Sequence, residues 1–340
     1  MRILASVLAA PLLLGVLAPT AQAADPQLKI ESIVLSRPSV AVSSLNTVPV
    51  TITMKATAKP SEYETYHVNF ERVAGSGPKD DLYSMPLKLI AGSQTDGTWQ
   101  GVVNVPSTVN GTIKATRVLA GGYFLGCSQC SDEYPVAVDG PPLVVNGVHV
   151  PKVTVTSTPK VVPFDSPFSL KWTITDSQTG KPYGTRLKVM LREDNQCVEG
   201  DFTTWTLTDT AGSITKKYPA GSYVICGMVP GEPAPILNVG VGPNRPGIVS
   251  ATPTRTSAPV GTVVPVNGTV RSGYKCPVNL QRLYGATAWR TVGTATVRQS
   301  SRFTVNAQPA YKGKIPYRAQ LPACYEIQAG VSKTFYITGT

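Results

Sequence analysis

Apolar and polar residues alternate along most of this chain, and Gly- or Pro-rich breaks interrupt the alternation about every eight to twelve residues. The stretch from Gly268 to Phe303 shows the pattern at its clearest. Leu280, Leu283, Trp289, Val292 and Phe303 are spaced between polar residues, with breaks at Gly273 and Gly285. Such a pattern predicts short antiparallel strands packed as a sandwich, each burying every second side chain. Upstream, Ile30 to Leu35, Val48 to Met54, Tyr66 to Arg72, Trp99 to Val105 and Thr112 to Thr116 read as strands of a first domain. Leu87 to Ile90 reads as the return strand of a long hairpin whose tip is Gly75 to Asp81. Val153 to Val155, Phe168 to Thr175, Leu187 to Leu191 and Tyr223 to Cys226 supply a second domain. Val263 to Val266, Phe303 to Ala307, Tyr317 to Leu321 and Phe335 to Ile337 supply a third. No segment sustains a 3.6-residue apolar period, so the fold class is all-β.

Asp96-Gly97, Asn110-Gly111 and Asn267-Gly268 are dipeptides of the tight-turn type. Pro/Gly-rich joints near His149 and Pro246 divide the chain into residues 24–148, 149–245 and 246–340. Residues 1–23 carry a basic start, a short apolar run and an Ala21-Gln22-Ala23 site, the marks of a secretory signal peptide. The apolar run is too short to span a bilayer comfortably, and nothing suggests covalent anchoring at the other end. The expected location is therefore outside the cell, secreted, with non-covalent association with the wall left open.

Six cysteines fall two per domain: Cys127 and Cys130, Cys197 and Cys226, Cys276 and Cys324. In an exported chain this predicts one bridge within each domain, although other pairings stay open. The Cys127/Cys130 spacing resembles a redox dithiol. Its flanks are Gly-rich and acidic, not a helix N-terminus, so a loop staple is expected. The acidic loop 193–201 does not have the spacing of a calcium loop, and its carboxylates are expected to be solvated.

Charge changes the picture most. The 340 residues carry a net +11, and residues 246–340 hold 11 Lys+Arg against the single acid Glu326. Arg271, Lys275, Arg282, Arg290, Arg298, Arg302, Lys312, Lys314 and Arg318 are the candidate contacts to a polyanion. No recognition helix, zinc finger or aromatic RNA-binding strand accompanies them, so nucleic acid is not the expected target. A rival use of the same domain is sugar stacking on Tyr274, Tyr284, Tyr311, Tyr317, Tyr325 and Tyr336.

Pro277 to Arg282, Ala288 to Ala295, Ser301 to Val305 and Tyr317 to Ala319 resemble the Ig-like repeat modules of secreted actinobacterial proteins. The resemblance covers the last 95 residues well, the middle domain loosely, and the first only around Asp96-Gly-Thr-Trp99. It implies three tandem Ig-like β-sandwiches used as spacers or surface modules, and transfers no catalytic residue. The two cysteines of the last domain depart from the usual repeat, and their bridge is expected at strand ends.

Catalytic patterns are absent from the sequence: no Gly-x-Ser-x-Gly, no His-Glu-x-x-His, no Walker loop. His67 and His149 are expected to be structural, and Asp80 and Asp81 exposed loop charges. No cofactor or metal is expected. The expected function is non-catalytic: the basic last domain associates with an anionic cell-surface or wall polymer. The alternative is a carbohydrate-binding accessory protein.

Overall fold

The computed structural model describes residues 28–58, 65–120, 135–193 and 205–340. The signal peptide, Cys127, Cys130, Cys197 and residues 194–201 of the acidic loop lie outside the described residues. Among the described residues every regular element is a strand, apart from a 3-10 turn at Ser107–Val109.

Three pairs of sheets follow one another along the chain. The first pair opposes a sheet ordered Leu28–Leu35, Thr47–Ala58, Asp96–Pro106 and Lys88–Gly92 to one ordered Ser39–Ser43, Pro142–Val148, Gly111–Ala120, Tyr66–Ala74 and Asp81–Tyr83. The second opposes Pro151–Thr158, Phe168–Asp176 and Ser213–Tyr218 to Thr206–Leu207, Lys188–Glu193, Ile225–Val229 and Leu237–Val241. The third opposes Val249–Pro253, Val264–Val270 and Arg302–Ala307 to Ser257–Ala258, Phe335–Gly339, Gly313–Leu321, Pro277–Tyr284 and Ala288–Thr296. In every pair the opening strand, the next long strand and the strand after the middle hairpin share one sheet, joined in the first pair by Lys88–Gly92, and the remaining strands form the other. That is the immunoglobulin-type division, so the chain is an all-β series of Ig-like sandwiches. In the first and third pairs the opening segment also crosses to the second sheet, where it runs parallel to the last strand: Ser39↔Val144 and Ser257↔Thr338.

Alternation explains the cores. In Phe168–Asp176 the buried residues are Phe168, Leu170, Trp172, Ile174 and Asp176, one face of a two-residue period. Trp99 and Phe70 fill the first core, and Phe303, Tyr317 and Leu280 the third. Each buried side chain of that size contributes about 1.5 to 3 kcal/mol against the cost of ordering the strand.

Two local expectations need correction. Of Leu87 to Ile90, only Leu87 returns to the hairpin, bridging Tyr66. Asp81–Tyr83 pairs with Tyr66–Ala74, while Lys88–Gly92 joins Asp96–Pro106 in the opposite sheet. The chain changes sheets between residues 83 and 88, and a local pattern cannot show such a crossing. Asn267-Gly268 is not a turn either. It lies inside Val264–Val270, bonded to strands on both sides. The glycine is there for space, because a Cβ would sit 2.2 Å from the Phe303 ring and 2.2 Å from the Ser250 carbonyl.

The joints are short and bonded. Only residues 149 and 150 separate Pro142–Val148 from Pro151–Thr158. Across this joint the loop 230–236 of the second sandwich lies on the first. Lys79 donates to the Pro235 carbonyl at 2.8 Å, Thr108 to Ile236 at 2.5 Å and Asn104 to Glu232 at 3.0 Å. Beside it, Asp176 accepts from Gln178 N–H, the Thr179 hydroxyl and His149 Nδ1. Burial alone would raise this carboxyl, but those three donors hold it at about 2.

At the second joint Arg245 is 5% exposed and donates to the carbonyls of Pro163 at 2.7 Å and Ser222 at 2.9 Å. Its guanidinium lies 5.6 Å from the ring centroids of both Phe164 and Phe168. Its backbone is zipped to the third sandwich, the Arg245 N–H to Glu326 and the Gln328 N–H back to Arg245.

Two outcomes follow. Gly268→Ala should lower stability by about 1 to 3 kcal/mol, since Phe303 must leave its rotamer to admit the methyl; chemical denaturation of the full chain measures this. Asp176 has a folded pKa below the unfolded value of 3.8, so its contribution is complete above about pH 4 and fades as pH falls through about 2. Asp176→Asn should remove that acid limb from a stability-versus-pH curve, leaving the two proteins converging at low pH.

Candidate functional site

The nine cations proposed as polyanion contacts are not on one face. The joint with the second sandwich marks one end of the third domain, where residues 324–328 meet Arg245. Four of the nine sit at that end. The Arg271 backbone bonds Ile248, Lys275 bonds Val297, and Arg298 bonds Arg302, all next to the Cys276–Cys324 bridge or the first strand. Arg298 also reaches the Thr304 hydroxyl, so it and Arg302 lie on the outside of the three-stranded sheet. Arg271 is engaged elsewhere. Its Nη2 is 2.7 Å from Asp165 of the second sandwich and its guanidinium 4.5 Å from the Phe164 centroid. The Asp165 carboxyl is held below its usual range chiefly by that hydrogen bond.

At the far end lie Arg282, Arg290, Lys312 and Lys314. Pro277–Tyr284 runs away from the joint for about 23 Å, at about 3.3 Å per residue, and turns into Ala288–Thr296. Arg282 and Arg290 occupy directly opposed positions on these two strands. Antiparallel to Pro277–Tyr284, Gly313–Leu321 begins at the same end, which brings Lys312 and Lys314 there. The one acid of residues 246–340, Glu326, is at the joint end.

Alternation then sorts the far-end groups by face. Ile315, Tyr317, Ala319 and Leu321 point into the core, so Lys314, Pro316, Arg318 and Gln320 point out. On this outer face Lys314 Nζ lies 4.2 Å from the Tyr336 centroid, and the Arg318 guanidinium 4.3 Å from the Trp289 ring. Arg318 Nε donates to Gln281 Oε1 at 2.8 Å, and Gln281 Nε2 donates to Gln320 at 2.7 Å. The result is a flat surface with two cations, two aromatic rings and a fixed amide pair. A charged flexible side chain lying on a ring keeps its charge while losing part of its freedom, so less entropy is lost when it meets an anion.

The tyrosines are mostly not bare platforms. Tyr317 is buried, its hydroxyl donating to Gln308. Tyr284 is covered by Arg282 and Arg290, Tyr336 by Lys314 and Tyr274 by Lys275. Tyr311 and Tyr325 remain exposed without a cation over them.

The remaining candidates resolve as follows. Cys276 and Cys324 form a disulfide between the turn before Pro277–Tyr284 and the segment after Gly313–Leu321, at strand ends. Cys226 is buried and disulfide-bonded, its expected mate Cys197 lying outside the described residues. His67 is buried beside the Ser84 carbonyl at 3.0 Å, and burial pushes its pKa down. Asp80 pairs with Arg72 at 3.1 Å. Among the described residues no group of three His, Cys, Asp or Glu could hold a metal, and no helix is long and apolar enough to cross a membrane. Trp289, Gln281, Gln320 and the Arg245–Phe164–Asp165 clamp were not anticipated from the sequence. Strand alternation in Gly313–Leu321 could have found Gln320, but Trp289 and Gln281 enter through pairing across strands.

No family model matches the chain, and no curated protein matches it in sequence. Solved structures similar to it include the Escherichia coli adhesin FdeC, at 12% identity over 91% of this chain and 96% of that one, with a TM-score of 0.29. An I-band fragment of titin is 10% identical over 92% of this chain and 98% of that one, with a TM-score of 0.30. A protein from Corynebacterium diphtheriae described as membrane-anchored is 11% identical over 92% and 91%, with a TM-score of 0.23. The fold assignment stands on the strand order of this chain itself.

Removal of Arg245 tests the clamp. Arg245→Ala deletes charge-assisted bonds worth about 1.5 to 3 kcal/mol each and opens the joint. Limited proteolysis should then cut near residues 243–247 at least about tenfold faster, as one factor of ten is about 1.4 kcal/mol of local stability.

Proposed function

We propose that this protein is a non-catalytic binding protein of the cell exterior, whose third domain associates with an anionic wall or surface polymer through its far end and outer sheet face. The observation that carries the reading is Lys314 on Tyr336 and Arg318 on Trp289 on the outer face, with Arg282 and Arg290 at the same end in register with the inward Tyr317, and the domain's one acid at the opposite end. A surface with fixed positive charge and no neighbouring carboxylate attracts a repeating anion over many contacts. The joint-end cations contribute less to this reading, because Arg271 is committed to Asp165. A disulfide across strand ends accords with an oxidising compartment, where export would place the chain.

Binding by charge is favoured over sugar stacking because cations already cover three of the six tyrosines and a fourth is buried. The test is co-sedimentation with purified cell wall, intact or stripped of its anionic polymers. Raising salt from about 0.05 M to about 0.5 M shortens the Debye length severalfold and should release most of the protein. The double variant Lys314→Gln/Arg318→Gln should bind at least about tenfold more weakly at low salt, losing two charge-assisted contacts. Binding that survives high salt, or is equal on stripped wall, would refute the charge reading and favour stacking.

A further inference from the structure

Arg282 and Arg290 are directly opposed on paired strands, which places their Cβ atoms about 5 Å apart on one face. Like charges so placed repel, and the one acid of residues 246–340, Glu326, lies at the other end of the domain beside Arg245. Both instead lie on a single ring: the Arg282 guanidinium 4.4 Å and that of Arg290 5.0 Å from the Tyr284 centroid. Arg282 Nη2 donates to the Tyr284 hydroxyl, and its Nε is buried without a hydrogen-bond partner. A guanidinium dry along one edge is poorly compensated by water, so an anion at its open edge gains more than at a solvated arginine. Arg282 pairs across the other side with Tyr317, whose hydroxyl is already tied to the Gln308 carbonyl. The site is therefore fixed on its inner side and open through the exposed Arg290.

We propose that Arg282, Arg290 and Tyr284 form a discrete seat for one tetrahedral oxyanion, the phosphate of a phosphodiester. Two guanidiniums offer more donors than the two oxygens of a carboxylate can accept, whereas a phosphate presents several oxygens around one centre. The seat deepens the polymer-binding reading and rests on it for its biological ligand. Its chemistry is nonetheless separable, because a small ion should saturate it without any polymer.

The experiment titrates full-length protein with inorganic phosphate, dimethyl phosphate and acetate at matched ionic strength, following arginine Nε–Hε resonances by NMR. The expected result is saturating shifts at Arg282 and Arg290 with both phosphates and only weak, linear shifts with acetate. Arg290→Gln, at an exposed position, should reduce phosphate affinity at least about tenfold, while Arg302→Gln at the joint end leaves it unchanged. Equal linear shifts for phosphate, acetate and chloride would overturn the seat, as would unchanged affinity in Arg290→Gln. If phosphate saturates the seat but wall sedimentation fails, the seat stands and the polymer reading falls. If sedimentation succeeds while phosphate produces no saturating shift, the polymer reading stands and the seat falls.

Discussion

The arrangement of this molecule depends on a positive charge withdrawn from water. Among the described residues the hydrogen bonds of the Arg245 guanidinium reach backbone carbonyls and no carboxylate, and two phenyl rings lie beside it. Charges so placed are costly to bury and costlier still to leave unpaired. The carbonyls of Pro163 and Ser222 belong to the second sandwich, while the arginine's own backbone pairs with residues 326 and 328 of the third. One residue thus satisfies two domains at once. Arg271 and Asp165 close over the same phenyl ring from outside, which explains why one of the basic candidates is not available to a ligand.

The basic character of the last domain has a spatial grammar that composition hides. Near the joint, Arg271 serves the joint, Arg298 and Arg302 lie outside the three-stranded sheet, and Lys275 lies on Tyr274. At the far end Arg282, Arg290 and Lys314 are laid on aromatic rings. A domain that used arginine merely for solubility would mix both signs across its surface. Here the candidate cations divide evenly between the two ends, and the domain's one acid, Glu326, sits at the joint end.

Much of the architecture was legible before any coordinates. Alternation in Phe168–Asp176 and Arg302–Ala307 marks their buried residues one by one, because a strand half in water must follow a period of two. What stayed hidden depends on contacts far apart in sequence. Lys88–Gly92 is exposed throughout and carries no inside-outside signal, so its sheet could not be assigned from its own residues. Asn267-Gly268 has the composition of a turn, but its glycine answers to Phe303, which lies 35 positions later. The candidate surface was half visible. Its cations could be named, yet their division between two ends requires the register of Pro277–Tyr284 against its two neighbours.

The handover at residues 149–150 has a consequence for reach. A long flexible tether would let the second sandwich sample a sphere around the first. Two residues of spacer, with three side-chain bonds bridging the same seam, leave almost no sphere to sample. The second sandwich therefore turns with the first as one lever, and a bend in the chain must come from a place other than residues 149–150.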